Sequence, residues 1–388
     1  MKIRKKLVIL TEFYPPNISG VSHSVYRIVK GLSQYLEQVC LIAITPYPQD
    51  CRSPHYILEE EGNIRIWRVY VAKEQPLIHP ESLRACYYLI SRIVRQESFD
   101  FIHAFCTFNC GYLANLLHKE IGIKYLLSIR GNDLTRAFFM PEKAAALKTL
   151  LEDASGITSV NSFLKDFLRA HFSQVVKKIT VIYNSILPPS LDNETNLDTA
   201  LLKETITGKN SFVFSYIGDI KEKKGVFPLI EVFKKFALNR PDARLLIVGE
   251  VYSSDYSFFR DTIADIPQII YKEKVPHKEV FKYYSITDVS IIPSIDDGFP
   301  NGLLEGIYTK TPLIASKIFS DILRHGKDAL LFDPFLYADL LSCMEELYTN
   351  TPKREALREN AFLLLSGILS PENEILSYIK KYDEVWKV

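Results

Sequence analysis

Apolar residues along this chain come in short runs separated by stretches of helical periodicity. Leu7–Leu10, Val39–Ile44, Ile64–Val71, Phe101–Phe105, Tyr125–Ile129, Gly156–Val160 and Ile179–Tyr183 read as buried strands. Helical spacing fills residues 21–36 (Val25, Ile28, Val29, Leu32), 80–95, 111–119 and 162–171. Strands alternating with helices predict a parallel sheet covered by helices. The alternation restarts with a strand at Ser211–Ile217 and a helix at Val226–Leu238. Further strands follow at Leu245–Val248 and Val289–Ile292. Between the two runs Pro188 and Pro189 break regular structure, and residues 193–210 are polar with room for one short helix. The pattern predicts an α/β protein with domains at 1–190 and 191–370 and a last helix over 371–388.

A chain of 388 residues is long for one core, which supports two domains. A net charge of +1 gives no reason to expect nucleic acid. The six cysteines are scattered. Cys106 and Cys110 lie close in sequence, but no second pair or histidine cluster completes a zinc site, so no metal is expected. No apolar run approaches the ~20 residues of a membrane-spanning helix. The start, MKIRKK, runs straight into a strand without the apolar core of a signal peptide. The chain therefore reads as cytoplasmic. Lys2, Arg4, Lys5 and Lys6 form either a solvated end or a peripheral contact with the inner face of the membrane.

Candidate chemistry concentrates between Asp288 and Glu305. A strand ends at Pro293. A loop then carries Asp296, Asp297, Gly298, Phe299, Pro300, Asn301 and Gly302, and the pattern turns helical from Leu303, with Glu305 in the first turn. Free amides at a helix start attract anions, while Asp297 and Glu305 accept hydrogen bonds from hydroxyls. That combination suits a nucleotide sugar. The plainer reading is a capped helix after a tight turn, with Glu305 near the positive end of the dipole. His103, inside a strand, reads as a satisfied core histidine.

Asp297, Gly298, Phe299, Pro300 and Glu305 resemble the signature of the family-4 retaining glycosyltransferases of the GT-B fold, with Asp in place of the usual first Glu. Thr311–Ser316 resembles the strand that follows it. The resemblance covers nearly the whole chain and is most specific between Gly218 and Ser316. It implies two Rossmann-like domains facing a central cleft, with the nucleotide-sugar donor mainly on the second domain and the acceptor on the first. The last helix would cross back to the first domain. The implied reaction moves a sugar from a nucleotide diphosphate sugar to an acceptor hydroxyl with retention of anomeric configuration. It needs no cofactor and no metal, and the acceptor would be a glycan, a lipid-linked molecule or a small molecule.

The resemblance also implies roles for particular residues. Asp297, Glu305 and Arg130 are the catalytic candidates. Donor contacts fall on Gly20 where the first long helix begins, and on Asp219 and Lys224 in the loop GDIKEKKG. They continue with Val275 and with Gly298, Phe299, Pro300, Asn301, Gly302, Leu303 and Glu305. Asn132 and Asp133 lie on the acceptor side. Four positions depart from the family pattern. Ser19 replaces a glycine before Gly20, Ser185 replaces a glycine after Asn184, Arg130 replaces a histidine, and Asp219 replaces an arginine. Arg130 excludes a histidine base at that place. Asp219 is expected to contact a sugar or acceptor hydroxyl rather than pair with Lys221 or Lys223, with Arg130 supplying the missing charge. The changes at Arg130 and Asp219 leave open a nucleotide-sugar- or carbohydrate-binding module of the same fold without turnover.

Overall fold

The computed structural model describes residues 6–16, 19–46, 53–71, 80–187, 199–253 and 255–387. They divide into two compact units, residues 1–185 with 371–388, and residues 186–370.

The first unit is built on β1 (Leu7–Thr11), β2 (Val39–Pro46), β3 (His55–Glu61), β4 (Ile64–Val71), β5 (Phe101–Phe105), β6 (Lys124–Ile129), β7 (Gly156–Ser159) and β8 (Ile179–Val181). Among the described residues these make one sheet in the order β3-β4-β2-β1-β5-β6-β7-β8. Ile9 of β1 lies between Leu41 of β2 and His103 of β5. Every residue of β1 and β5 is buried, as parallel strands covered on both faces require. Only β3 is antiparallel to its neighbour, β4. Its exposed edge carries Glu59, Glu60 and Glu61, charges that discourage pairing with another chain.

Helix Gly20–Leu32 begins at a capping box, with Ser19 and Ser22 each bonding the other's backbone amide. Its buried face, Val25, Ile28, Val29 and Leu32, packs with Ile375, Tyr378, Tyr382 and Val385 of helix Pro371–Lys387. Arg27 holds Glu374 in a two-pronged buried ion pair at 2.7 and 2.9 Å, and Ser185 adds its hydroxyl to the same carboxylate at 2.5 Å. His103 is fully buried, with Nδ1 2.8 Å from the Tyr382 hydroxyl and Nε2 2.7 Å from Ser128 Oγ. Burial lowers its pKa to about 3, so it is a neutral core residue.

The second unit holds β9 (Phe212–Ile217), β10 (Ala243–Val248), β11 (Ile269–Lys272), β12 (Val289–Ile292), β13 (Leu313–Ser316) and β14 (Leu330–Phe332). Their order is β11-β10-β9-β12-β13-β14, with every pairing parallel. This is the doubly wound order. Helix Val226–Ala237 buries Leu229, Ile230, Phe233 and Phe236 over Phe214, Leu245 and Ile247.

In both sheets the chain leaves the first strand toward one side and later returns on the other. The reversals fall between β1 and β5 and between β9 and β12. Loops at the carboxyl ends of strands diverge there and open a crevice, the usual place for a ligand in such sheets.

Candidate functional site

In the second unit the loop after β9 and the loop after β12 meet at that reversal. Glycines make the approach possible. Gly225 has φ +69°, and a Cβ there would lie 2.0 Å from the Pro293 carbonyl oxygen. The amides of Ile295 and Asp296 donate to the Lys223 carbonyl at 2.8 and 3.2 Å, which locks the two loops together. Gly225→Ala is therefore expected to cost roughly 2–5 kcal/mol, from the left-handed backbone and the collision together. A urea midpoint matching wild type would show that the loops can part without penalty.

This contact brings Lys224 and Asp297 into a salt bridge, with the Ser294 hydroxyl also 3.4 Å from the same carboxylate oxygen. The Asp297 side chain is 10% exposed and that of Lys224 19%. Burial lowers the pKa of the neighbouring Lys223, partly opposed by Asp297.

The helix after the loop runs Asn301–Tyr308 with Pro300 at its N-cap. It starts two residues earlier than the apolar pattern indicates, because Asn301 and Gly302 already have helical backbone. Glu305 consequently lies in the second turn, not the first, and its carboxylate is oriented by side chains. His277 Nε2 is 3.0 Å from Oε1, and the buried Tyr284 hydroxyl is 3.3 Å from Oε2 and 3.0 Å from the Gly302 carbonyl. The hydrogen bond to Glu305 raises the pKa of His277, with burial opposing. His277 and Tyr284 escaped the sequence reading as partners of Glu305. Their spacing on helix His277–Tyr284, two turns apart on one face, was the available signal. A Cβ on Gly302 would lie 3.0 Å from the Ile217 carbonyl oxygen and 3.3 Å from the Tyr284 hydroxyl, a tight fit that a side chain would enter only if these neighbours gave by a few tenths of an ångström.

Other expected donor contacts sit differently. Asp219 makes a local ion pair. It pairs with Lys221 at 3.0 Å, and that ammonium also lies 4.2 Å over the Tyr252 ring. The loop folds Lys221 back between a carboxylate and an aromatic face, and both attract it. Leu303 is fully buried and its amide donates to the Pro300 carbonyl at 3.1 Å, so it supports the turn. Gly298 and Phe299 are buried, while Pro300 and Asn301 are partly exposed. β11 stops at Lys272, which leaves Val275 in a loop two residues before His277.

In the first unit Gly20 is the first residue of its helix and takes helical backbone, with Ser19 as its cap. Arg130 follows β6. Its Nη2 donates to Asn184 Oδ1 at 2.9 Å, the guanidinium lies 5.7 Å from the Phe105 ring, and Nη1 is buried with no hydrogen-bond partner among the described residues. The Asp133 carboxylate accepts from three backbone amides, Thr107 at 2.9 Å, Arg130 at 2.9 Å and Gly131 at 2.8 Å. Those bonds brace the strand ends. Asn132 beside it is exposed.

Among the described residues no group of three His, Cys, Asp or Glu could hold a metal ion, and no helix is long and apolar enough to cross a membrane.

Two α/β units in one chain, the second doubly wound with loops meeting at its strand reversal, have the organisation of the GT-B class of glycosyltransferases. Comparison with known proteins agrees. The family described as "Glycosyltransferase Family 4" matches residues 18–187, and "Glycosyl transferases group 1" matches residues 199–363. An uncharacterized glycosyltransferase of Methanocaldococcus jannaschii is 23% identical over 97% of this chain and 98% of its own length. Sucrose-phosphate synthase from Thermosynechococcus elongatus superposes with TM-score 0.78 at 16% identity, over 99% of this chain and 100% of that one. Anabaena HepE in complex with UDP and glucose superposes with TM-score 0.72 at 14% identity, over 97% and 99%. The chain belongs to the family-4, group 1 glycosyltransferases.

Proposed function

We propose that this glycosyltransferase moves a sugar from a nucleoside diphosphate sugar to an acceptor hydroxyl with retention of anomeric configuration. One observation carries the reading. The ends of β9 and β12 bring together a lysine, a carboxylate and the start of a helix, with a second, pre-oriented carboxylate one turn further on. Negative charge builds on the diphosphate as its bond to the sugar breaks, and Lys224 with the amides at the start of helix Asn301–Tyr308 offers it stabilisation. Glu305, held by His277 and Tyr284, accepts hydrogen bonds from the vicinal ribose hydroxyls. Asp297 takes sugar hydroxyls once the diphosphate draws Lys224 away. This reading assigns no covalent nucleophile: the acceptor attacks from the face of the leaving group and the phosphate takes its proton. The donor belongs to residues 191–370 and the acceptor, a glycan, lipid-linked molecule or small molecule, to residues 1–190. The UDP and glucose bound by HepE support this class of donor.

Thermal shift against UDP, GDP, ADP and their sugars tests the donor. A ligand at ~100 times its dissociation constant adds about 2.7 kcal/mol of stability, and no shift with any of them refutes the reading. Proton NMR of the fresh product reads the anomeric configuration, and inversion refutes retention. Activity is expected to survive EDTA, because Asp297 already holds a lysine and the Asp296–Asp297 pair alone makes a poor cage for Mg²⁺, which favours six oxygens. Loss restored by added Mg²⁺ would contradict this.

A further inference from the structure

The strand reversal of the first unit carries a second cluster that the donor chemistry does not use. Glu12 is the residue after β1, and Asn109 lies in the turn after β5, so the pair flanks the crevice between these strands. Asn109 Nδ2 donates to both oxygens of Glu12, at 3.1 and 3.0 Å. Among the described residues that amide is the sole hydrogen-bond partner of the carboxylate and no cation pairs with it. Asn109 has φ +63° and ψ −81°, and Cys106 has φ +75°, conformations that side chains rarely adopt. Such strain persists where surroundings impose it and gathers at ligand sites.

Asp133 gives the contrast. It is a structural carboxylate, satisfied by three amides. Glu12 is half-buried and keeps lone pairs open. Asp133 and the buried thiols of Cys86, Cys106 and Cys110 face it, and burial raises its pKa to about 7, with Asn109 opposing and Asp133 adding. Its charge is poorly compensated, which is a costly choice for a purely structural role. On the same strand ends Arg130 keeps a buried nitrogen without a partner, and the Cys106 thiol feels both groups.

We propose that Glu12 receives a hydroxyl of the acceptor, a polyhydroxylated molecule whose oxygens can also take a hydrogen bond from Arg130. The assignment rests on the transferase reading above. In the transfer the acceptor O–H bond breaks and the new glycosidic C–O bond forms. The bond from the sugar to the diphosphate breaks, and the diphosphate keeps that electron pair and takes the proton. Glu12 orients the hydroxyl and ends the cycle unchanged.

The test compares the full chain with Glu12→Gln. The probe donor is whichever of UDP-glucose, ADP-glucose and GDP-mannose stabilises wild type, and the acceptors are p-nitrophenyl pyranosides and water. Glu12→Gln is expected to lower kcat/KM for the acceptor about tenfold or more while nucleotide affinity stays unchanged. Wild-type acceptor kcat/KM should rise with pH through about 7 as Glu12 ionises, and the variant should lose that limb. A variant melting temperature at pH 8 at or above that of wild type shows that the fold is intact. Equal acceptor kinetics, a retained pH limb, or an equal fall in nucleotide affinity each overturn the role of Glu12 alone. A wild-type chain that neither binds nor turns over any of the three donors overturns the transferase reading and this assignment with it.

Discussion

Glu305→Gln is expected to leave the second unit folded and to lower donor kcat/KM by roughly 10- to 150-fold. The substitution keeps the shape of the side chain and removes its charge. Hydrogen bonds to a charged group contribute about 1.5–3 kcal/mol, and every ~1.4 kcal/mol is tenfold in rate or affinity. The Gln oxygen can still accept from His277 or Tyr284, but the amide nitrogen then points a donor at hydroxyls that need an acceptor. The same change carries a second signature. His277 has its pKa raised by Glu305, so the charged pair stabilises the fold fully below the unfolded-state value near 6.5. That contribution fades as pH climbs through the raised folded value. The gap in denaturant midpoint between wild type and variant should therefore be wider at pH 6 than at pH 9, and the His277 ring resonance should titrate lower in the variant. Unaltered kinetics with saturating and limiting donor would remove Glu305 from the site. A pH-independent gap would break its link to His277.

The elements that local pattern encodes were legible. Phe101–Phe105, Ser162–His171 and Val289–Ile292 have the bounds that their apolar spacing implies. The α/β class and the GT-B fold follow from alternation and from the motif around Asp297. β3 was not legible, because HYILEEE carries three successive glutamates and none of its residues is buried. The helix start at Asn301 was hidden by Asn and Gly, which are poor helix formers. The partners within the site were less visible still. Lys224 and Asp297 are 73 residues apart and meet because β9 adjoins β12. Glu12 and Asn109 are 97 apart and meet because β1 adjoins β5. Periodicity reports which residues are buried in a strand, not which strand lies beside it. Asp219 shows the converse. Lys221, two residues away, was one of the two lysines considered for it, and its ammonium reaches both Asp219 and the Tyr252 ring.

Lys224→Ala and Asp297→Asn should separate the two halves of the salt bridge by opposite effects. Removing one partner of a buried pair costs about 3–5 kcal/mol, and this pair, with side chains 19% and 10% exposed, belongs near the lower end. Lys224→Ala takes the paired ammonium away from the Asp297 carboxylate, so it should lower the melting temperature and weaken nucleoside diphosphate binding roughly 10- to 150-fold through lost charge-assisted bonds. Asp297→Asn leaves a neutral group that still accepts from Lys224. It frees the ammonium for the diphosphate, so nucleotide affinity should hold or rise while sugar transfer falls. The double variant Lys224→Ala/Asp297→Asn removes the carboxylate charge that Lys224 balanced. It should regain most of the lost melting temperature without regaining nucleotide affinity, a coupling that a double-mutant cycle reads directly. If affinity returns together with stability, Lys224 serves only to neutralise Asp297, and the cation that meets the diphosphate must be sought elsewhere. If Lys224→Ala changes stability alone, the loops after β9 and β12 are a structural joint and the donor lies away from them.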